Sequence, residues 1–434
     1  LIGQRKKLMK IQKILKSKVT KNAGWLIGGR VYHMALAFVV GLLTARYLGP
    51  GNYGLINYAA TYTAFFSSFC TLGINSVIVK NFVDHPEEEG ETIGSAIILR
   101  AISSALSLVM MVCITLIVDR GETTTHWVVA LCGVGVLFQV MDTLNYWFQC
   151  KLQSKYAAIA TAISYTVVSA YKVWLLFTGK SVEWFAVSTS IDYLVAAMVL
   201  LALYKKQHGP QFSCSLRKAK ELLGSSRHFI LAGLMVSIYD STDKFMLKQV
   251  MNEAEVGFYS TAVSLCNTWV FLLTALIDSS YPVILQSFEN KEGFERRNRQ
   301  LYAIVFYASV SVSLLFSIFA SPIVVFLYGE TYAPAAAPLR IITWYVAFSY
   351  LGVARNAWIV SYGKQNYLKY LYMGAALANV LLNALMIPPW GASGAALASL
   401  LTQISTILVF PTLIKDLRPN VRLMLDAILL RNVF

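Results

Sequence analysis

Apolar residues run through this chain in long blocks, and polar residues are confined mostly to short breaks between them. Blocks of about 18 residues or more can cross the ~30 Å hydrocarbon layer as helices. Only helices or closed barrels satisfy their backbone there. Barrel strands would alternate apolar with polar, and these blocks do not. The pattern predicts an all-α, polytopic membrane protein. Twelve spans are expected, at 24–48, 54–79, 93–118, 126–148, 157–178, 182–204, 226–249, 257–280, 299–320, 336–360, 366–387 and 391–414. Between the first two, "LLTARYLGPGNYGLINYA" crowds Gly49, Pro50 and Gly51 together, which predicts a tight hairpin over 48–53. Arg46 is expected to anchor that corner at the membrane surface.

Composition agrees with the pattern. The 434 residues are 57% hydrophobic and 14% charged, against about 25% charged in soluble domains. A net charge of +15 invites a nucleic-acid reading, but its distribution excludes one. With the N-terminus placed in the cytoplasm, the segments on that side hold 26 of the 37 Lys and Arg, and the opposite loops hold three. That is the positive-inside asymmetry, and it predicts that both termini face the cytoplasm.

Six spans return the chain to its starting side. The longest strongly polar connection, "KKQHGPQFSCSLRKAK", falls after the sixth. The expected organisation is a basic tail (1–23), a six-helix lobe (24–204), a linker (205–225), a second six-helix lobe (226–414) and a cytoplasmic or interfacial end segment (415–434). "GLINYAATYTAFF" from Gly54 matches "GFYSTAVSLCNTW" from Gly257, as internal duplication predicts.

Several enzyme classes are disfavoured. No outside loop is long enough to hold the acceptor of a membrane glycosyltransferase or O-antigen ligase. There is no GxxxxGK[ST], no HExxH and no metal-ligand cluster, so neither catalytic residues, cofactor nor metal is expected. The six cysteines are scattered and read as packing residues.

The informative residues are charges inside spans, which are costly and functional by default. Arg30 and His33 share a face in span one, beside Gly28 and Gly29. Span four carries Gln139, Asp142, Tyr146 and Gln149 at i, i+3, i+7, i+10, with Asn145 adjacent. That stripe reads as a buried hydrogen-bond seam or as the wall of a cavity for hydroxyl-rich cargo. Lys172 in span five reads as a cavity-facing cation. In span seven, Asp240, Asp243 and Lys244 fall on one face, as a neutralised cluster or as a site for ion coupling or gating. Arg227 opens span seven, Arg355 lies in span ten, and Asn379 and Asn383 stand one turn apart in span eleven. The spans hold more cations than acids, which suits an anionic cargo such as a pyrophosphate.

"LLTARYLGPGNYGLINYA", "YDSTDKFMLKQVMNEAEVGFYSTA", "SPIVVFLYGETYAPAAAPLRII" and "LLNALMIPPWGASGAALASLLTQ" together resemble the Wzx-type polysaccharide (O-antigen) flippases of the multidrug/oligosaccharidyl-lipid/polysaccharide exporter (MOP) superfamily. The resemblance implies two pseudo-symmetric six-helix lobes in a MATE-like V around a central cavity. It implies that a polyprenyl-pyrophosphate-linked oligosaccharide is flipped across the bacterial inner membrane by alternating access. Arg30, Lys172, Arg227 and Arg355 would then receive the pyrophosphate, and Gln139, Asp142 and Asn145 the sugars. Implied partners are the lipid-linked oligosaccharide, membrane lipids, H+ or Na+, and polysaccharide polymerase and chain-length proteins. The alternative is a cation-coupled multidrug antiporter of the same superfamily, which Arg30 disfavours.

Overall fold

The computed structural model describes residues 2–431, except for the side chains of 2–24, 26, 27, 76, 227–229, 231, 232, 236, 239 and 240. Every regular element among the described residues is helical. In chain order they are α1 (Ile2–Thr71), α2 (Asn75–Asp84), α3 (Glu89–Val118), α4 (Thr123–Gly133), α5 (Gly135–Phe138), α6 (Thr143–Cys150), α7 (Ser154–Thr178), α8 (Val182–Lys206) and α9 (Leu216–Val250). There follow α10 (Glu253–Asn267), α11 (Val270–Gln286), α12 (Lys291–Tyr328), α13 (Ala336–Ala354), α14 (Asn356–Ser361), α15 (Leu368–Ile404), α16 (Phe410–Leu413) and α17 (Arg418–Ile428).

The helices are built inside out relative to those of a soluble protein. On α3, Ile98, Ile102, Leu106 and Val109 are exposed along one face, while Ser95, Arg100, Ser104, Ser107 and Thr115 are buried along another. Outward apolar faces with small and polar residues at the packing surface suit a lipid solvent. Among the described residues eight helical stretches are long and apolar enough to cross a membrane, or nine if the pair α10 and α11, bent by 43°, is one span. The protein is thus a multi-pass membrane protein. Two of the eight, Gly28–Thr71 with 44 residues and Gln365–Leu413 with 49, exceed about twice the ~30 Å layer at 1.5 Å per residue. Each breaks at a glycine of positive φ, Gly49 (φ 70°) and Gly391 (φ 51°). Twelve crossings follow only if both broken stretches cross twice, the bent pair once, and α9 once.

The break at Gly49 is tighter than the hairpin loop expected over 48–53. Helix resumes at Pro50, whose fixed φ and missing N–H suit a first helical position, and only Gly49 leaves the helical region. A glycine takes that left-handed φ without Cβ strain.

The chain forms two compact units, Leu1–Tyr47 with Ala59–Leu234, and Leu48–Tyr58 with Met235–Phe434. In the first unit, Ile74, Ile78, Phe82, Ile93, Leu144, Phe148, Leu200 and Leu222 form an apolar core. In the second, Phe294, Tyr302, Val305, Leu351, Trp358, Ile407 and Met424 do so. Amphipathic α17 seats Val421, Leu423, Met424 and Ala427 inward, and its last turn accepts a bond from Tyr307 Oη at the Ile428 carbonyl, 2.7 Å away.

Within the second unit, the two glycines matched in sequence meet in space. A Cβ on Gly54 would overlap the carbonyl oxygen of Glu253, and one on Gly257 would overlap that of Pro50. Each carbonyl lies four residues before the other glycine, so the contact is reciprocal. It brings two helix backbones together as only small residues permit.

Candidate functional site

The polar side chains inside the first unit gather around two acids. Arg100, 1% exposed, donates from Nη1 to Thr143 Oγ1 at 2.9 Å and from Nη2 to the Gln139 carbonyl at 3.4 Å. That carbonyl lies in a 3-10 turn, Gln139–Asp142. The turn interrupts the regular helix expected for span four, so the expected stripe divides. Gln139 exchanges hydrogen bonds with Ser67, Asn145 Nδ2 donates to Asp142 Oδ1 at 3.3 Å, and Gln149 is exposed. Asp142 is an electrostatic partner of Arg100.

The second acid, Asp192 on α8, accepts from the Ser164 hydroxyl at its carboxylate and at its backbone carbonyl. It is the leading electrostatic partner of Lys172 and also faces His33, whose ring packs against Tyr165 at 3.9 Å between centroids. Lys172 therefore points into the first unit, toward an acid. Arg30 is exposed. Gly28 and Gly29 line a separate groove of about 500 Å³ with Trp25, Tyr32 and Ala158. Arg100 and Asp192 fall inside the expected spans 93–118 and 182–204, but no motif marks either of them. The signal for Arg100 was available: it shares a helical face with Ser104, Ser107 and Thr115.

In the second unit Lys248, 8% exposed, pairs with Glu253 at 2.9 Å, and two further charges form separate centres. Asp243 is 8% exposed and accepts four hydrogen bonds from neutral donors. Asn379 Nδ2 at 3.0 Å and Asn383 Nδ2 at 2.6 Å reach Oδ1, while Tyr259 Oη at 2.5 Å and the Ser399 hydroxyl reach Oδ2. Asn383 Oδ1 is buried without a hydrogen-bond partner. Asp243 and Lys244 line a cavity of about 340 Å³ together with Tyr259, Asn267, Tyr345 and Ser399. The spacing that suggested a seam at Asn379 and Asn383 thus brings them to Asp243, four residues apart on α15. Arg227 and Asp240 lie outside the described residues.

Arg355, in the turn between α13 and α14, is 3% exposed. Its Nη1 donates to the Thr406 carbonyl at 3.5 Å, and its Nε has no hydrogen-bond partner among the described residues. Its electrostatic neighbours are the phenols of Tyr372 and Tyr302. Arg355 belongs to the second unit, and Lys172 and Gln139 to the first. No group of three or more His, Cys, Asp or Glu among the described residues could hold a metal ion.

An all-helical, two-unit membrane chain with charges enclosed in each unit is the architecture of a transporter superfamily. The structure is similar to a multidrug resistance MATE family transporter of the MOP superfamily in its inward-facing conformation, with TM-score 0.71 and 14% identity over 89% of this chain and 96% of that one. It is also similar to the lipid II flippase MurJ in an inward closed conformation, with TM-score 0.76 and 13% identity over 94% of this chain and 91% of that one. These likenesses establish the MOP fold. The chain belongs to the polysaccharide biosynthesis protein family, whose profile matches residues 19–288. A relative in Staphylococcus aureus, the capsular polysaccharide biosynthesis protein CapF, is 21% identical over 407 residues, covering 90% of this chain and 98% of that one.

Proposed function

We propose that the protein is a flippase for a polyprenyl-pyrophosphate-linked oligosaccharide. It moves an O-antigen or similar repeat unit from the cytoplasmic to the outer leaflet of a bacterial inner membrane by alternating access. The observation that carries this reading is membership of the polysaccharide biosynthesis family on a MOP transporter fold. Lipid-linked cargo fits the physics: its tail stays in hydrocarbon, while its sugars and phosphates need a polar path. Arg30, Lys172, Arg227 and Arg355 supply cations for the pyrophosphate, and Gln139, Asp142 and Asn145 supply polar contacts for sugars. Both termini face the cytoplasm, and the protein binds no cofactor and works beside the polymerase and chain-length proteins.

Ion coupling is assigned to the Asp243 centre, with Asp240 and Lys244 beside it. A buried carboxylate ringed by four neutral donors, next to one unpartnered amide oxygen, presents negative charge and, at Asn383, an unused acceptor to a proton or Na+. Membrane voltage adds about 2.3 kcal/mol per charge per 100 mV for an anion leaving the negative side.

The test is reconstitution. Proteoliposomes holding the purified protein and a fluorescent polyprenyl-pyrophosphate oligosaccharide are exposed to a membrane-impermeant quencher or pyrophosphatase. Protein-dependent access of the inner-leaflet pool is expected. Transport of cationic dyes without movement of the lipid-linked sugar would favour a multidrug antiporter, and sugar transfer to an acceptor would favour a glycosyltransferase or ligase.

A further inference from the structure

We propose that the pocket around Arg355 is a discrete binding site for a phosphate-class oxyanion, built inside the second unit alone. It rests on the flippase reading only for its biological source of phosphate. Arg355 shares a cavity of about 210 Å³ with Tyr345, Ser349, Asn356, Tyr372 and Gln403. A guanidinium has five N–H donors in a rigid fork and is never deprotonated. Among the described residues it makes one hydrogen bond, at 3.5 Å, its Nε is unsatisfied, and no carboxylate stands among its electrostatic neighbours. An isolated buried charge is among the most costly groups a protein can hold, and such charges are normally paired. Arg100 shows how the same chain neutralises an enclosed arginine, by placing Asp142 in its field.

The rest of the lining suits an oxyanion and not a carboxylate side chain of the protein. Ser349, Asn356 and Tyr372 carry neutral donors that complement phosphate oxygens beyond the two a guanidinium fork takes. The cavity exceeds a water's ~30 Å³ share of liquid volume several-fold. It is too small for a phosphate carrying its sugars, so it takes the phosphate group itself.

The backbone opposite Arg355 is unusual too. Ser405–Val409 forms a π-helical turn in the middle of an otherwise α-helical run, and Thr406, whose carbonyl meets the guanidinium, lies in that turn. Such turns concentrate at functional sites. Gly352 packs closely on the same turn: a Cβ there would stand 2.7 Å from Ile407 Cδ1.

The experiment uses purified full-length protein in detergent and reads its thermal unfolding midpoint. Inorganic phosphate, pyrophosphate and, at matched ionic strength, chloride are titrated in turn. Phosphate or pyrophosphate is expected to raise the midpoint saturably while chloride does not. Arg355→Lys keeps the charge but loses the fork, and should weaken the apparent affinity about tenfold. Arg355→Gln should abolish the shift, and Arg340→Gln, at an exposed arginine on α13, should leave it intact. A wild-type protein that no oxyanion stabilises, or an equal shift in wild type and Arg355→Gln, overturns the site. Polyprenyl pyrophosphate in mixed micelles then separates the sources. A shift from the lipid form alone identifies the cargo's head as the ligand, and a shift from free pyrophosphate as well shows that the oxyanion suffices. The two readings fail separately: wild-type flipping without any oxyanion shift removes this site and leaves the flippase standing, whereas an oxyanion shift in a protein that flips nothing does the reverse.

Discussion

The two units enclose charge differently. In the first, the enclosed cations have acids in their fields: Arg100 has Asp142, half-buried Lys172 has Asp192, and buried Lys218 pairs with Glu88. In the second, Lys248 pairs with Glu253 at 2.9 Å, but Asp243 and Arg355 are separate centres whose hydrogen-bond partners among the described residues are neutral. Asp243 is ringed by two amides and two hydroxyls, and Arg355 by a carbonyl and two phenols. Mutual neutralisation lowers the cost of burial and leaves little field for a ligand. Neutral solvation keeps the field, at a cost in stability that an arriving ion of opposite sign can offset. Asp243 and Arg355 in the second unit therefore read as the centres that keep the strongest field for an ion, one of each sign.

The comparison breaks most visibly at Asp243. Asp243→Ala leaves two amides and two hydroxyls without their acceptor, each worth about 1–3 kcal/mol if it stays buried and unpaired. The variant is expected to lose several degrees of thermal midpoint or to fail to accumulate. Asp243→Asn keeps the shape and removes the charge. It should fold, and flipping in proteoliposomes should lose its dependence on a Na+ or proton gradient. Unchanged ion dependence in Asp243→Asn would take this residue out of coupling.

The two buried arginines give the next largest contrast. Arg100→Met removes the cation in the field of Asp142 and strands the Thr143 hydroxyl and the Gln139 carbonyl, a change expected to cost about 1–3 kcal/mol, and Asp142→Asn added to it should restore part of that loss. Arg355→Met orphans no acid and removes an under-satisfied charge, so it should cost less than about 1 kcal/mol or stabilise the unliganded protein. Thermal or denaturant unfolding of the three variants decides the matter. Equal losses at both arginines would mean that Arg355 is compensated as Arg100 is, and the distinction between the units would fall.

A smaller effect is expected at the crossing of Gly54 and Gly257. Gly54→Ala or Gly257→Ala drives a methyl into a carbonyl oxygen of the partner helix, and forced repacking of this kind costs about 1–3 kcal/mol. Because the contact is reciprocal, the double variant should lose less than the sum of the singles once the helices have parted. Strict additivity in unfolding experiments would show that the two glycines act at independent contacts.

Much of this architecture was legible because the membrane imposes it. Block lengths and the glycines at 49 and 391 mark the helices and breaks directly, since hydrocarbon allows no other backbone solution. The residues enclosed with charge were legible one at a time: Asp243, Lys172, Arg355, Asn379 and Asn383 all stand out as polar positions in apolar runs. Their partners were not. Tyr259 and Ser399 reach Asp243 from helices 16 and 156 positions away in sequence, and nothing in a one-helix periodicity announces such a meeting. Arg100 was passed over because serines are weak signals, though its face repeats through Ser104 and Ser107. The 3-10 turn at 139–142 was missed because "QVMD" carries no glycine or proline to mark it.

The least consequential charges should be those that water already solvates, and the Lys364–Asp416 pair tests that floor. Its two residues flank the last apolar stretch, Gln365–Leu413, with Nζ and Oδ2 2.5 Å apart and Tyr367 Oη donating to the same carboxylate at 2.9 Å. The Lys364 hydrogen bond, and then that of Tyr367, hold the Asp416 carboxyl below its usual range. Asp416 in turn holds the Lys364 ammonium above its own. A carboxyl depressed by folding contributes stability above its unfolded value, about 3.9, and loses it as pH falls through the lower folded one. A raised lysine contributes below its unfolded value, about 10.4, and loses it as pH climbs through the higher folded one. The advantage of wild type over Asp416→Asn should therefore be small and flat from about pH 5 to 9, shrink in acid below about pH 4 and again in strong alkali, and fade with added salt because the pair is exposed. A difference that is large or that varies near neutral pH would mean that this exposed pair carries weight the interior charges were expected to carry.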